Sequence, residues 1–371
     1  MLVDATALPA ERRGVGRYID NLLPALCRAG LDVHVACQPR DADKYAQAGS
    51  AQPVVASALT GRRPTRLVWE QVGLPGMVRR VGSDVLHSPH YTHPLWADVA
   101  QVVTVHDATF FTDAPLHSGI KPPFFRAATR LALRRADCCV VDSQSTADDL
   151  EREVGADPAV LQVAHLGVDH AVFHPPSAED VSELRGHLGL AEDQRYLAFL
   201  GTLEPRKNVP ALIAGWIRAV ADRPDPPALV LAGGAGWNTD LDRIAVPAHL
   251  NLVRPGYLPL TLLPALLGGA DLVTYPSLGE GFGLPVLEAM ACGAAVLTTA
   301  RMAIPEVGGD AVAYTEPDEV AIGTNIRELL DDPDRRAHLA AAGVRRAASF
   351  TWDACADAHV VAYQRAIAAA R

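Results

Sequence analysis

The stretch YPSLGEGFGLPVLEAMACG, from Tyr275 to Gly293, restricts what this chain can fold into more than any other. Gly281 and Gly283 flank Phe282, Pro285 follows Leu284, and an apolar periodic run begins at Val286. Glycine lets backbone approach a ligand with no Cβ between them, and proline suits the first turn of a helix. A glycine turn opening a helix from Val286 to Cys292 is therefore predicted. The first N–H groups of such a helix lack intrahelical partners and attract phosphate or sugar oxygens. Two carboxylates bracket the turn: Glu280 before it, and Glu288 in the expected first helical turn. Like charges keep a carboxylate off phosphate, so neutral hydroxyls are the natural partners of both. A capped helix start with a dipole-favoured glutamate explains either one alone. Together with Gly-Phe-Gly-x-Pro they read as a clamp for a sugar nucleotide, with amides for the diphosphate and one carboxylate each for the sugar and the ribose.

A chain of 371 residues is comfortable for two domains. Nearly half of it is apolar, yet no apolar run approaches the ~20 residues that span a bilayer. A strand at Leu2–Val3 starts with no signal peptide before it, which predicts a cytoplasmic protein. The six cysteines show no zinc spacing, and reduced, mostly buried thiols are the simplest reading. A net charge of −10 argues against nucleic acid as the main partner. The basic residues are uneven, however. Arg62, Arg63, Arg66, Arg79 and Arg80 share one segment, and Arg126, Arg130 and Arg134 recur every four residues along one side of a helix. Each group alone reads as solvated surface; both together read as a basic face in the amino-terminal half, suited to peripheral contact with a membrane or an anionic lipid-linked acceptor.

The opening reads as βαβ: the first strand, a loop from Glu11 to Tyr18 carrying Gly14 and Gly16, an apolar-periodic helix through Leu26 closed by Gly30, then the strand LDVHVAC. Residues 39 to 60 are polar and small, without a clear element, and Asp41-Ala-Asp43 there has nothing around it to complete a metal site. Val102, Val103 and Val105 make a buried strand ending at His106-Asp107, and residues at the carboxyl end of a parallel strand face the ligand crevice. His106 is thus a candidate hydrogen-bond donor near neutral pH. His87, His90, His93 and His117 lie nearby in sequence, but their spacing is not that of a metal site. A new α/β unit begins with RYLAFLGTLEPRKN. Its strand runs into Gly201, and Arg206 with Lys207 is placed to neutralise a diphosphate. The strand in PALVLAGGAGWN then ends in Gly233-Gly234.

The Glu-x7-Glu spacing with Gly-Phe-Gly-Leu-Pro inside it resembles the donor-site signature of retaining, Leloir-type glycosyltransferases of family 4, and the resemblance covers nearly the whole chain. It implies an α/β fold of GT-B type, two Rossmann-like domains with parallel sheets facing a central cleft. Residues 1–176 would bind the acceptor and 177–351 the nucleotide sugar, with Pro175-Pro176 as a stiff joint and a last helix of about 352–371 returning to the first domain. By the same resemblance Gly16 lets donor diphosphate and acceptor approach, His106 lies against the donor sugar, and Gly256, Tyr257 and Leu258 mark where the base packs. Lys207, Arg206 and the amides from Gly281 through Phe282 and Gly283 to Leu284 would stabilise the departing diphosphate. Glu280 would hold a sugar hydroxyl and Glu288 the ribose. One departure is Thr202 after Gly201, where many members carry an arginine; Arg206 is the candidate substitute. GTLEPRKN is further similar to a subgroup that transfers mannose into bacterial surface glycans. The implied reaction is a retaining transfer of a hexose from GDP-mannose to a hydroxyl of a glycan, glycolipid or small molecule, with no cofactor beyond the nucleotide sugar and no metal. UDP-glucose, UDP-GlcNAc or a deoxysugar nucleotide would use the same clamp, and a non-catalytic nucleotide-sugar sensor is the reading from a different class. The acceptor is expected against residues 39–64 and Phe110–Pro123.

Overall fold

The computed structural model describes every residue except 11, 13, 48–50, 113–120, 237–240, 242, 243 and 371. It divides into two compact units, Met1–Gly167 with Thr351–Arg371, and Val168–Phe350. Among the described residues no helix is long and apolar enough to cross a membrane.

In the first unit β1 (Leu2–Asp4), β2 (His34–Cys37), β3 (Gln52–Val55), β4 (Val85–Ser88), β5 (Ala100–Val105), β6 (Cys138–Val141) and β7 (Leu161–Val163) form a parallel sheet. Its order is β3-β2-β1-β4-β5-β6-β7. The inner strands are continuous apolar runs because helices cover both faces, as parallel sheets require; β4, β5 and β6 are buried along their whole length. Chain order reverses beside β1, so the β1/β4 carboxyl ends form a switch point of the kind that binds ligands.

Three local expectations are corrected here. The helix Gly14–Arg28 begins three residues before Arg17, so Gly14 and Gly16 belong to its first turn and not to a preceding loop. Gly16 is buried there, and a Cβ on it would lie 2.8 Å from Arg12 Cδ. Residues 39–60 do hold elements: a 3-10 turn at Pro39–Asp41, the helix Ala42–Gln47 and β3. Third, Arg66 is no solvated side chain. It is buried, 2.7 Å from Glu70 and 3.3 Å from Asp4.

The last helix, Trp352–Ala369, completes this first unit. A buried polar chain fastens it. Tyr18 Oη lies 2.7 Å from His359 Nε2 and 3.0 Å from Thr104 Oγ1, and Tyr363 Oη lies 3.0 Å from His87 Nδ1.

The second unit holds β8 (Tyr196–Leu200), β9 (Ala228–Ala232), β10 (Leu252–Gly256), β11 (Leu272–Tyr275), β12 (Val296–Thr299) and β13 (Ala313–Thr315). Its parallel sheet has the order β10-β9-β8-β11-β12-β13, with the reversal between β8 and β11. Pro255 is tolerated because β10 is an edge strand. Gly233 has φ of +134°, and a Cβ on it would lie 2.1 Å from the Gly201 carbonyl oxygen, so the loops after β8 and β9 can cross only where a glycine stands. The division between the units falls at Gly167, not at the proline joint expected at 176. Val168 N–H donates to Phe350 O at 3.1 Å, and Pro176 lies so close to Gly268 that a Cβ there would be 2.3 Å from the proline ring. The prolines are stiff, but they are stiff within the second unit.

Candidate active site

The loops that leave β8 and β11 meet at the switch point of the second sheet. After β8 the chain turns through Gly201, whose N–H donates to Ala232 O at 2.9 Å, and Thr202, whose carbonyl accepts from Glu204 N–H at 2.8 Å. A 3-10 turn, Pro205–Lys207, then carries both cations inward, and Asn208 in the left-handed region passes the chain into the helix Val209–Val220. After β11 come Tyr275, Ser277 and Glu280, and Gly283, with φ of +106°, starts the helix Leu284–Ala291. Leu278 N–H donates to Arg206 O at 2.7 Å, which stitches the two loops together.

Glu280 is the hub of the result. Its Oε1 accepts from Lys207 Nζ at 2.5 Å, Ser277 Oγ at 2.6 Å and Tyr275 Oη at 3.0 Å, and its Oε2 accepts from Arg206 Nη1 at 2.9 Å. Lys207 also donates to Tyr275 Oη and sits 4.9 Å from the centre of that ring. Arg206 Nε reaches Glu204 at 3.1 Å. Lys207 and Glu280 are 6% and 5% exposed, so these charges interact with little solvent screening. Burial works to raise the Glu280 carboxyl, but Arg206, Lys207 and the hydrogen bonds from Lys207 and Ser277 outweigh it and hold it at about 2. Burial, with Arg206 beside it, lowers the Lys207 ammonium to about 8 in spite of Glu280. At neutral pH both are ions.

This geometry adds protein partners to the residues expected from spacing. A carboxylate has about four lone-pair sites, and donors already stand at four places around Glu280. Its partners within the protein are the two cations, Ser277 and Tyr275, three donors on Oε1 and one on Oε2. The helix starts at Leu284, two residues before the expected Val286, so Glu288 is its fifth residue and the first turn holds no acidic residue; Glu288 is 3% exposed. Phe282 is 4% exposed with its ring 6.0 Å from that of Phe350, so what it can offer a ligand is backbone. Gly281 and Gly283 are buried beside it, with Ile304 Cδ1 2.8 Å from where a Cβ on Gly283 would stand, and Leu284 is half-buried. Tyr257 is 57% exposed after Gly256, whose φ is +75°, whereas Leu258 turns inward. Tyr275, Ser277 and Glu204 were missed by sequence reasoning; the one signal for them was a tyrosine and a serine shortly before Glu280.

In the first unit His106 emerges at the carboxyl end of β5, as its strand pattern predicts. Its Nδ1 lies 2.9 Å from Asp142 Oδ2 and its Nε2 2.9 Å from Pro89 O. The neighbouring histidines have other duties: His87 joins the buried chain through Thr104 Oγ1 at 2.8 Å, and burial pushes His90 and His93 down to about 3 and about 4. His117 and the greater part of the loop expected to line the acceptor site lie outside the described residues.

Residues 12–172 match the Glycosyltransferase Family 4 domain and residues 180–346 the Glycosyl transferases group 1 domain. The chain is 30% identical over 319 residues to the O-antigen chain mannosyltransferase B of Escherichia coli, covering 84% of this chain and 81% of that protein. It is 31% identical over 311 residues to the D-inositol 3-phosphate glycosyltransferase of Mycobacterium tuberculosis (strain ATCC 25177 / H37Ra), covering 76% of this chain but 62% of that protein, less than two thirds of its length. Among solved structures, sucrose-phosphate synthase from Thermosynechococcus elongatus superposes with a TM-score of 0.76 at 20% identity, over 99% of this chain and 98% of that one. Anabaena HepE in complex with UDP and glucose gives 0.74 at 18% identity, over 97% and 98%. The chain belongs to glycosyltransferase family 4, and it is a glycosyltransferase of the GT-B fold.

Proposed function

We propose that this enzyme moves a hexose, mannose from GDP-mannose, onto a hydroxyl of a glycan, glycolipid or small-molecule acceptor with retention of anomeric configuration. The observation that carries the reading is the buried cluster of Lys207, Arg206 and Glu280 at the β8/β11 switch point. Breaking an anomeric C–O bond leaves a diphosphate, and two fixed cations beside the opening amides of the helix Leu284–Ala291 are what a departing anion needs. Glu280 holds those cations in place until phosphate oxygens share them. The leaving phosphate is then a base for the acceptor hydroxyl on the same face, which gives retention with no covalent step on the protein. Mannose draws support from the likeness to the Escherichia coli mannosyltransferase.

A UDP-sugar donor is the second reading, favoured by the likeness to a structure that holds UDP and glucose. Thermal unfolding in the presence of GDP, UDP, ADP and their hexose conjugates separates the two, because a ligand that binds only the folded state raises its apparent stability. GDP and GDP-mannose are expected to raise Tm most. A larger shift with UDP would replace mannose by a UDP-linked sugar.

The proposal extends to place: a cytoplasmic enzyme whose first unit touches a membrane peripherally. Five of the six free cysteines are buried thiols, as suits a reducing compartment. The helix Lys121–Arg135 exposes Arg130 and Arg134 beside Phe124 and Leu131, and the Arg126 and Arg130 guanidiniums stand 5.8 Å and 5.0 Å from the centre of the Phe111 ring. Cations mixed with exposed apolar side chains suit an anionic surface. Co-sedimentation with anionic but not neutral vesicles is expected. Equal recovery in the supernatant with both would remove this part of the proposal.

A further inference from the structure

We propose that Asp142 is a positioning residue for His106: it and the Pro89 carbonyl clamp the ring from both sides as an imidazolium and so fix the pose of the β5 end. The inference rests on the reading that His106 serves sugar transfer.

Both partners of the ring can only accept. Nδ1 faces a carboxylate oxygen at 2.9 Å and Nε2 a backbone carbonyl at 2.9 Å. A neutral imidazole has one N–H and can satisfy only one of them. The geometry is therefore complete when both nitrogens carry protons, and the countercharge is already in place. Asp142 is 4% exposed, and its backbone is pinned because the next residue, Ser143, caps the helix Gln144–Val154 by accepting from Thr146 N–H at 3.1 Å. The ring is also gripped by its neighbours. Tyr18 meets it edge-on at 5.2 Å, Tyr91 at 6.1 Å, and His90 lies at 6.0 Å. Tyr18 is in turn held by Thr104 and by His359 of the last helix.

The charged and titratable groups around the ring agree with this assignment. Burial raises the Asp142 carboxyl, but the charge and hydrogen bond of His106 oppose that rise, as an ion pair requires; Asp107 adds negative charge, while burial keeps His87, His90 and His359 neutral by lowering their affinity for protons. Burial works against a charge on His106 itself, but Asp142, together with the hydrogen bonds the ring donates to Asp142 and Pro89, raises its affinity for the proton above the ordinary value. The array ties three strand ends together, since Pro89 follows β4, His106 follows β5 and Asp142 follows β6. What it offers the reaction is a fixed loop and a fixed charge; the ring has no proton to give away without breaking a contact.

Two measurements test the proposal. In the wild-type enzyme, nitrogen NMR of the His106 ring, assigned with His106→Gln, is expected to show both nitrogens protonated at pH 7. A ring with Nδ1 unprotonated, the proton sitting on Asp142, would overturn the clamp, and this readout needs no substrate. In Asp142→Asn the amide oxygen can still accept from Nδ1, but the countercharge is gone and burial is left largely unopposed, so the ring should lose its second proton at a lower pH than in the wild type. kcat/KM of the variant is expected to approach wild type only toward the acid end of the pH range and to lie about tenfold below it at pH 7.5, as loosened positioning costs rate. A merely structural carboxylate predicts the same loss at every pH, and parallel profiles would sink the proposal even if transfer by the wild type is as described. Should Asp142→Asn not fold, the wild-type ring measurement decides alone. Wild-type activity without any dependence on His106 would instead fault the reading of transfer at this site.

Discussion

Lys207→Met is expected to cut the turnover of sugar transfer by about a hundred- to a thousandfold, the range seen when one preorganised donor to a developing anion is removed. Methionine keeps much of the volume of the lysine stem, so the packing against the Tyr275 ring survives and the missing element is the charge. The ammonium is also one of two cations on a carboxylate that is 5% exposed. Leaving a buried charge short of a partner costs about 3–5 kcal/mol when it loses everything, and Arg206 remains, so the loss in stability should fall below that range. Because the ammonium titrates at about 8, wild-type activity should decline as pH rises past that value, and this alkaline limb should vanish in the variant. Steady-state rates across pH 6 to 9.5 with saturating acceptor check both statements. Retention of more than about a tenth of wild-type turnover would remove Lys207 from the role given to it.

Glu280→Gln should be as damaging, at about a hundredfold or more, for a reason that differs from the loss of a nucleophile. Glutamine leaves Lys207 and Arg206 side by side with little to offset them, and like charges in a buried site drive the weaker base to give up its proton. Lys207 already sits at about 8. Without the carboxylate it should be neutral at pH 7, so the variant loses the same cation as Lys207→Met by another route. The double variant should then be little worse than the worse single one, the non-additivity of groups that act as a unit. Independent, multiplying losses would show the two residues to act separately. No covalent glycosyl-enzyme on Glu280 is expected by mass spectrometry, and trapping one would overturn the assignment. The acid side carries a sign as well. A carboxyl held at about 2 in the folded chain contributes stability that is present above the unfolded value of about 4.5 and is lost as pH falls toward 2. Glu280→Gln should lack that slope.

Much of this was legible in the chain because parallel strands buried on both faces spell themselves out. YLAFL, ALVLA and the run ending Val102-Val103-x-Val105 admit few other readings, and their ends delivered Gly201, Gly233 and His106 to the right edge. The pairing of Lys207 with Glu280 was legible only as a shared crevice; that Glu280 is the anchor of the cations depends on Tyr275 and Ser277, whose side chains turn inward for reasons of loop geometry that no spacing displays. Asp142 hid in an apolar strand ending, and Pro89 contributes a carbonyl, which has no letter of its own. β3 was missed because QPVV is an edge strand with no fully buried residue, so it shows neither alternation nor an apolar run. Glu288 was placed in the first turn because the helix was expected from Val286, whereas the left-handed Gly283 starts it two residues earlier, and the sequence alone left that position open.

The return of Trp352–Ala369 to the first unit has a consequence for how the protein is made. Residues 1–167 precede the second unit in the chain, yet Tyr18 and His87, which share Thr104, each gain a second partner only from the eighteen-residue helix Trp352–Ala369. The carboxyl-terminal unit is contiguous in the chain and can complete its fold while the nascent amino-terminal unit still waits for its last piece. A truncation just before Thr351 would therefore take a part from the first unit, although the cut lies beyond the whole of the second.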